Sequence, residues 1–280
     1  LLLSNKNVMK LTDVNIFGEA DELVENSGAL SMTNSTAEIS KLGMLNTGSF
    51  NIKGGTYTFT KNESTFIKNN AASENTLDSV TTKKGYKVGN NVNCIQNSKE
   101  NSKFGIINSN LSCKSTFYDA DTTIDGGYMS YIDSNGTLKL NNTTIYELHN
   151  GAELNVLDST IEIVFNSYSM NVNGNTIIIY VTNEGTYNMN SGKITIILVN
   201  KKTFNLYDGI ITSSDRDDAV NNTGTVNIYG GSITSSNKFA IYNLSTGIIN
   251  IGTKDGNVST EAPVIIGKTY GISNGSGKVN

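Results

Sequence analysis

The C-terminal half of this 280-residue chain repeats one short pattern. Each copy has an apolar residue, an asparagine and a second apolar residue, then a turn, and then another short apolar segment. The spacing between successive copies is 16, 16, 17, 17, 22 and 23 residues. A short, drifting period built on strands is typical of a solenoid. The first apolar residues of the copies are Leu138, Leu154, Met170, Tyr187, Phe204, Val226 and Ile249.

The same residue types return at the same position of every copy, and this indicates how the copies stack. Alternating apolar and polar residues predict a strand with one buried face. A meander of hairpins would make successive strands antiparallel, and it would not return the same residue types at the same phase. If each copy is one coil, neighbouring coils lie about 4.8 Å apart and pair in parallel. The predicted fold class is therefore all-β, a parallel β-helix solenoid wound as a single superhelix of about a dozen coils. Its predicted buried residues include Phe50, Ile52, Leu154, Val156, Met170, Val172, Phe204, Leu206, Val226 and Ile228.

The central asparagine of each copy lies between two inward residues and therefore points outward. Stacked at one phase, such side chains can form a ladder, because each amide donates to one neighbour and accepts from the other. A chain with 41 asparagines could also place them by compositional bias alone, but the phase is kept while the spacing varies, which favours the ladder. The predicted structural ladder contains Asn155, Asn171, Asn188, Asn205, Asn227 and Asn250.

Earlier copies of the pattern extend the solenoid to the N-terminal half, with coils beginning at Met9, Leu30 and Phe50. We expect one β-helix domain over 1–280, with regular coils at 1–60, irregular coils with longer loops at 61–134, and regular coils at 135–280. Within the irregular part, 86–88 is expected to be a strand and 71–80 to hold one short helical turn. In the final third, a third strand per coil explains the longer period. The last copy is truncated at the C-terminus, so we expect the natural protein to continue.

The amino-acid composition narrows the range of functions expected of this chain. Charged residues make up 16% of the chain and the net charge is −4, against a usual charged share of about 25%. Without a basic patch, nucleic acid is not an expected partner. No apolar stretch approaches the roughly 18 residues of a membrane helix, so no membrane insertion is expected. Cys94 and Cys113 are about one coil apart, which is compatible with a disulfide or with two buried thiols.

The run from Asn222 to Ile233, NTGTVNIYGGSI, resembles the repeat of large, adhesin-like bacterial cell-surface proteins. The segments 251–260, 263–265 and 270–272 are similar to an insert between those repeats. The resemblance covers 203–280 well and 135–200 loosely. The N-terminal half shares only the kind of repeat, not the motif. It implies a right-handed parallel β-helix of the pectin-lyase-like type, exported and displayed on the cell surface. It implies no catalytic residues, because the repeat motif is structural.

Parallel β-helices also carry polysaccharide lyases and glycosidases, which need converging carboxylates. The candidates for this alternative are Asp215, Asp217 and Asp218, but they align with 237–239 of the next copy and are interpreted as a variable connection. His149, the only histidine, is expected to be a surface turn residue without an acidic partner.

Asp119, Asp121 and Asp125 could offer oxygens to calcium, although a turn at a strand entry is the favoured interpretation. The sequence thus predicts no catalytic, cofactor or metal site. The predicted function is a non-catalytic structural or adhesive stalk of a secreted bacterial surface protein, with glycans or other host or cell-surface ligands left open as partners. The alternatives are a carbohydrate-binding or carbohydrate-active β-helix and a segment of a phage tail fibre.

Overall fold

The computed structural model describes residues 1–214, 217–244, 246–252 and 262–280. These residues form strands, turns and bends, and none of them lies in a helix. The strands stack in parallel as a β-solenoid of about 12 turns, which confirms the predicted fold class. The chain divides into two compact units, Leu1–Tyr146 and Glu147–Asn280.

Unit 1 contains three rows of parallel strands, and one turn of the solenoid visits the rows in the order first, second, third. The first row contains β1 (Leu3–Asn5), β4 (Glu22–Asn26), β7 (Leu42–Asn46), β10 (Thr65–Asn69) and β13 (Asn93–Asn97). The second row contains β2 (Val8–Thr12), β5 (Ala29–Thr33), β8 (Ser49–Lys53), β11 (Glu74–Asp78), β14 (Lys103–Ile107), β16 (Asp121–Asp125) and β18 (Leu138–Asn141). The third row contains β3 (Asn15–Ile16), β6 (Thr36–Ile39), β9 (Thr56–Phe59) and β12 (Thr81–Lys84). The longer strand β15 (Asn110–Phe117) pairs with both β12 and β13, so the third and first rows merge there, and β17 (Tyr128–Ser134) follows it.

Unit 2 begins with merged strands and then separates them again. Its second row contains β20 (Glu153–Leu157), β22 (Ser169–Asn173), β24 (Thr186–Met189), β26 (Thr203–Leu206), β29 (Thr225–Ile228), β32 (Ile248–Ile251) and β35 (Lys278–Val279). The merged strands are β21 (Thr160–Asn166), β23 (Ile177–Asn183) and β25 (Lys193–Asn200). β25 then pairs with β27 (Ile210–Ser213) and β28 (Val220–Asn222), which are followed by β30 (Ser232–Ser235), β31 (Ile241–Asn243), β33 (Val264–Gly267) and β34 (Ile272–Asn274). The strand β19 (Thr144–Asn150) contains the boundary between the units.

The predicted register is confirmed. All ten residues predicted to be buried are at most 3% exposed. In unit 2 the inward row pairs Leu154 with Met170, Met170 with Tyr187 and Tyr187 with Phe204, and the rings of the last two lie 5.1 Å apart. The extra strand per turn in the final third is confirmed by β28 and β31. No coil can bury this apolar row alone, so each turn is stabilised by its neighbours.

The open question about the cysteines is answered by a disulfide. Cys94 on β13 and Cys113 on β15 are bonded, with their Cα atoms 5.3 Å apart. Both side chains point into the core of unit 1. The bond therefore joins two neighbouring turns from the inside.

Two predictions for the irregular part are wrong. Residues 74–78, expected within a polar loop with a helical turn, form β11 in the second row. The inward Asn75 is accommodated there because its amide donates to the Ser73 carbonyl and its oxygen accepts from the Phe50 amide. Residues 86–88, expected to be a strand, lie in a turn in which Tyr86 is 91% exposed. In the second case the Val88 amide donates to the Gly85 carbonyl within the same turn, so local apolar content predicted neither segment.

A second amide ladder, which the sequence reading missed, lies inside the solenoid. It occupies the last position of the first-row strands, where the chain turns into the second row. Its side chains are buried, except for the exposed last member Asn274, and they donate from one turn to the next at 2.6–2.8 Å. In unit 1 the ladder contains Asn5, Asn26, Asn46, Asn69 and Asn97, and in unit 2 it contains Asn150, Asn166, Asn183, Asn200, Asn222, Asn243 and Asn274.

A tyrosine hydroxyl in the core gives a direct test of the inward register. Tyr187 is fully buried, its hydroxyl has no hydrogen-bond partner among the described residues, and burial raises its pKa well above the ordinary value. Because an unsatisfied buried hydroxyl costs free energy, Tyr187→Phe should raise the free energy of unfolding by about 1 kcal/mol in urea titrations. The gain should increase above pH ~10, because the tyrosine then ionises in the unfolded chain while it stays protonated in the fold.

The control is Tyr118→Phe, since this side chain is 48% exposed. It should change the free energy of unfolding by less than about 0.5 kcal/mol. A loss of stability in Tyr187→Phe would show that the hydroxyl is bonded and that the inward row is placed wrongly.

Candidate functional site

The outer asparagine ladder is the most regular outward feature of unit 2. The six predicted members are confirmed, and Asn280 continues the row beyond Asn250. Each amide donates to the asparagine one turn earlier, and the Nδ2–Oδ1 distances lie between 2.7 and 3.1 Å. At the start of the row, Asn155 donates to the Glu153 carboxylate at 3.0 Å. The six predicted side chains are half-buried, and Asn280 is exposed.

Two further rows flank this ladder on the same outward face. On one side, threonines occupy the first position of three successive strands, in direct register with one another. On the other side, the rings of Tyr207 and Tyr229 stack with centroids 5.1 Å apart and planes 23° apart. One turn earlier in that row, Asn190 donates to Asn173 at 3.1 Å. We call this surface the Thr–Asn–Tyr face, defined by Thr186, Thr203, Thr225, Asn188, Asn205, Asn227, Tyr207 and Tyr229.

The Thr–Asn–Tyr face has hydrogen-bonding capacity left over. An asparagine amide has two N–H donors and two oxygen lone pairs. In the ladder, Asn205 donates once to Asn188 and accepts once from Asn227, so one donor and one lone pair remain. The face consists of neutral side chains, and at the adjoining turn the charges of Glu184 and Lys201 pair at 2.8 Å. The face therefore offers regularly spaced donors and acceptors without a net charge of its own.

Sequence reasoning found the asparagines of this face but not its threonines or the tyrosine stack. The signal was available, since each of these strands reads Thr-x-Asn-x: residues 186–189, 203–206 and 225–228. Tyrosine follows directly in the last two. In unit 1 no residue type occupies two successive turns of the corresponding outward row, which contains Lys10, Ser31, Asn51, Thr76, Gly105, Thr123 and Lys139.

The aspartates considered for an enzyme lie in different surroundings. Asp217 is exposed, and its carboxylate lies 3.7 Å from the Lys238 ammonium. Asp218 is only 6% exposed, and its carboxylate accepts a hydrogen bond from the Phe239 backbone N–H at 3.1 Å. Asp215 lies outside the described residues. The connection thus packs on the equivalent connection of the next turn, in agreement with the alignment of the two copies.

His149 differs from its prediction in two ways. It lies in the strand β19 and not in a turn, and it has an acidic partner, because its Nε2 lies 2.7 Å from a Glu147 carboxylate oxygen. Its ring also packs on Phe165 with a centroid distance of 4.6 Å. The two-residue spacing along a strand places His149 and Glu147 on the same outward face.

The aspartates considered for calcium lie around β16. Asp119 has a φ of 45°, as expected for a turn residue, while Asp121 and Asp125 are exposed at the two ends of the strand. Within the described ranges, no three His, Cys, Asp or Glu side chains are grouped closely enough to hold a metal ion.

Comparisons with known proteins do not assign the chain to a family: no protein-family model, no curated protein and no solved structure matches it. The described part of the chain holds no helix with the length and apolarity that a membrane span requires.

A matched pair of substitutions tests whether the aspartate connection is structural. Asp218→Ala leaves the partly buried Phe239 N–H without its acceptor and should cost about 1–2 kcal/mol of unfolding free energy. Asp217→Ala removes only an exposed ion pair and should cost less than about 0.5 kcal/mol. Urea denaturation of both variants measures the difference. Equal effects would mean that Asp218 does not hold the connection as described.

Proposed function

We propose that this chain is a non-catalytic structural and adhesive segment of a secreted bacterial cell-surface protein. The observation that supports this function best is the hydrogen-bonded row of neutral amides along the outside of unit 2. Such side chains cannot act as general acids or bases. They instead place the same group on the outward surface of successive turns of unit 2, as suits a part that spans a distance and presents repeated contacts.

The energetics of the fold support the same function. In a solenoid, each turn depends on its neighbours, so turns can be added without a new core. Polar but uncharged side chains make much of the outer surface compatible with water. The resemblance of 222–233 to the repeats of adhesin-like surface proteins points in the same direction. An enzyme of the lyase or glycosidase type would need carboxylates that act together, and Asp217 and Asp218 differ in exposure and in partner.

The enzyme alternative is tested by a depolymerisation screen. The 280-residue chain is incubated with pectin, alginate and neutral plant and animal glycans, with and without calcium, and new reducing ends are measured. We expect no release above the buffer control. Turnover that is lost in both Asp217→Asn and Asp218→Asn would contradict the proposal, provided that both variants keep the unfolding transition of the parent.

The proposed location is tested on intact cells of the source organism. Antibodies against this chain should label unpermeabilised cells, and external protease should remove the label. A cytoplasmic enzyme probed in the same samples should stay intact. Labelling only after permeabilisation would contradict a surface role.

A further inference from the structure

We propose that the Thr–Asn–Tyr face of unit 2 binds an uncharged polysaccharide chain. This inference rests on the proposed adhesive function and names the ligand class for it. Three properties of the face carry it: the spare hydrogen-bonding capacity, the stacked tyrosines, and the absence of charged side chains among its eight residues.

The hydrogen-bonding groups of the face are suited to the hydroxyl groups of sugars. A sugar hydroxyl both donates and accepts, so it is best satisfied where a donor and an acceptor lie side by side. Each ladder amide presents one N–H and one lone pair that the ladder does not use. The hydroxyls of Thr186, Thr203 and Thr225 lie in the neighbouring row. Each turn thus adds an amide and a hydroxyl to the same surface.

The repeat of the face matches a polymer better than a small molecule. Successive turns are about 4.8 Å apart, so the same set of groups recurs at a fixed interval along the solenoid. A single sugar would use one or two turns, and its contacts would be weak and exposed to water. A chain that lies along the rows makes the same contact several times on one molecule, and linked contacts strengthen binding by effective concentration.

Aromatic side chains border the face on both sides. Tyr207 and Tyr229 form the stacked pair on one side. The two rings hold each other in place, so the pair offers its ring edges and hydroxyl groups as a rigid border for the C–H and O–H groups of a sugar chain. On the threonine side, Thr186 also lines a shallow groove of about 450 Å³ together with Tyr168, which is 62% exposed. The amide and hydroxyl rows therefore lie between aromatic side chains.

The charges near the face select against charged polymers. None of the eight residues that define the face is charged, so along the face an acidic polysaccharide or a nucleic acid would lose water from its anions without gaining ion pairs. At the threonine edge, Lys201 is paired with Glu184, and Lys202 lies at the rim of the groove next to Thr186, outside the face itself. The ligand that fits these properties is neutral and rich in hydroxyl groups.

The test is affinity electrophoresis of the intact 280-residue chain in native gels that contain xyloglucan, galactomannan or mixed-linkage β-glucan. Polygalacturonate serves as the charged polymer. At least one neutral polysaccharide should retard the protein, and added salt should not abolish the effect, because the contacts are not ionic. No retardation by any of the three neutral polymers, or stronger retardation by polygalacturonate, would overturn the proposal.

Two variants locate the binding. Tyr207→Ala with Tyr229→Ala removes both stacked rings and should raise the dissociation constant about tenfold. The triple variant Thr186→Val, Thr203→Val, Thr225→Val keeps the branched shape and removes the hydroxyls, and it should also weaken binding several-fold. Tyr86→Ala is the matched control, since Tyr86 is 91% exposed in unit 1, and it should bind like the parent.

Thermal unfolding of each variant verifies that the fold is kept. If the tyrosine variant is unstable, the valine variant decides alone. Unchanged binding in folded face variants would overturn the proposal. That result would not affect the proposed scaffold function, which is tested separately by turnover and by surface location.

Discussion

The structure depends on how the chain satisfies its buried polar groups at one corner of each turn. Where a first-row strand ends and the second row begins, carbonyl groups point inward, away from water and outside the strand ladders. The buried asparagines supply the donors: Asn183 donates to the Thr203 carbonyl at 2.8 Å and to the Gly185 carbonyl at 3.1 Å. It also links Asn166 to Asn200. Since an unsatisfied buried carbonyl is costly, this ladder holds the corner in one conformation, turn after turn.

The outer ladder uses the same side chain for a different purpose. Its amides donate toward the previous turn, whereas the buried amides donate toward the next one. At the surface, water could replace each of these hydrogen bonds, so the outer row contributes little to stability. The outer row instead provides an ordered surface with unused hydrogen-bond donors and acceptors. The same residue type thus stabilises the inside of the solenoid and shapes the outside.

Much of this fold could be predicted from the sequence, because inward and outward residues alternate with a period of two. The alternation of apolar and polar residues alone places Phe204 and Leu206 inside and Asn205 outside. The same alternation could not reveal the buried ladder. A polar side chain at the end of a strand is expected to face water unless its buried hydrogen-bond partner is known. A signal was present in hindsight: Asn46, Asn183 and Asn222 each stand two residues before a glycine. The site was predictable in part, because the outer asparagines follow from phase, while the burial of Asp218 depends on packing between turns.

The most direct test of this account compares one asparagine from each ladder of unit 2. Asn183→Ala removes a buried amide and leaves its partners unsatisfied, whereas Asn188→Ala removes a half-buried amide whose partners can bond to water. Urea denaturation should show a loss of about 3 kcal/mol or more for Asn183→Ala and of less than about 1 kcal/mol for Asn188→Ala. Equal losses, or a larger loss for Asn188→Ala, would contradict the claim that the buried ladder holds the solenoid together.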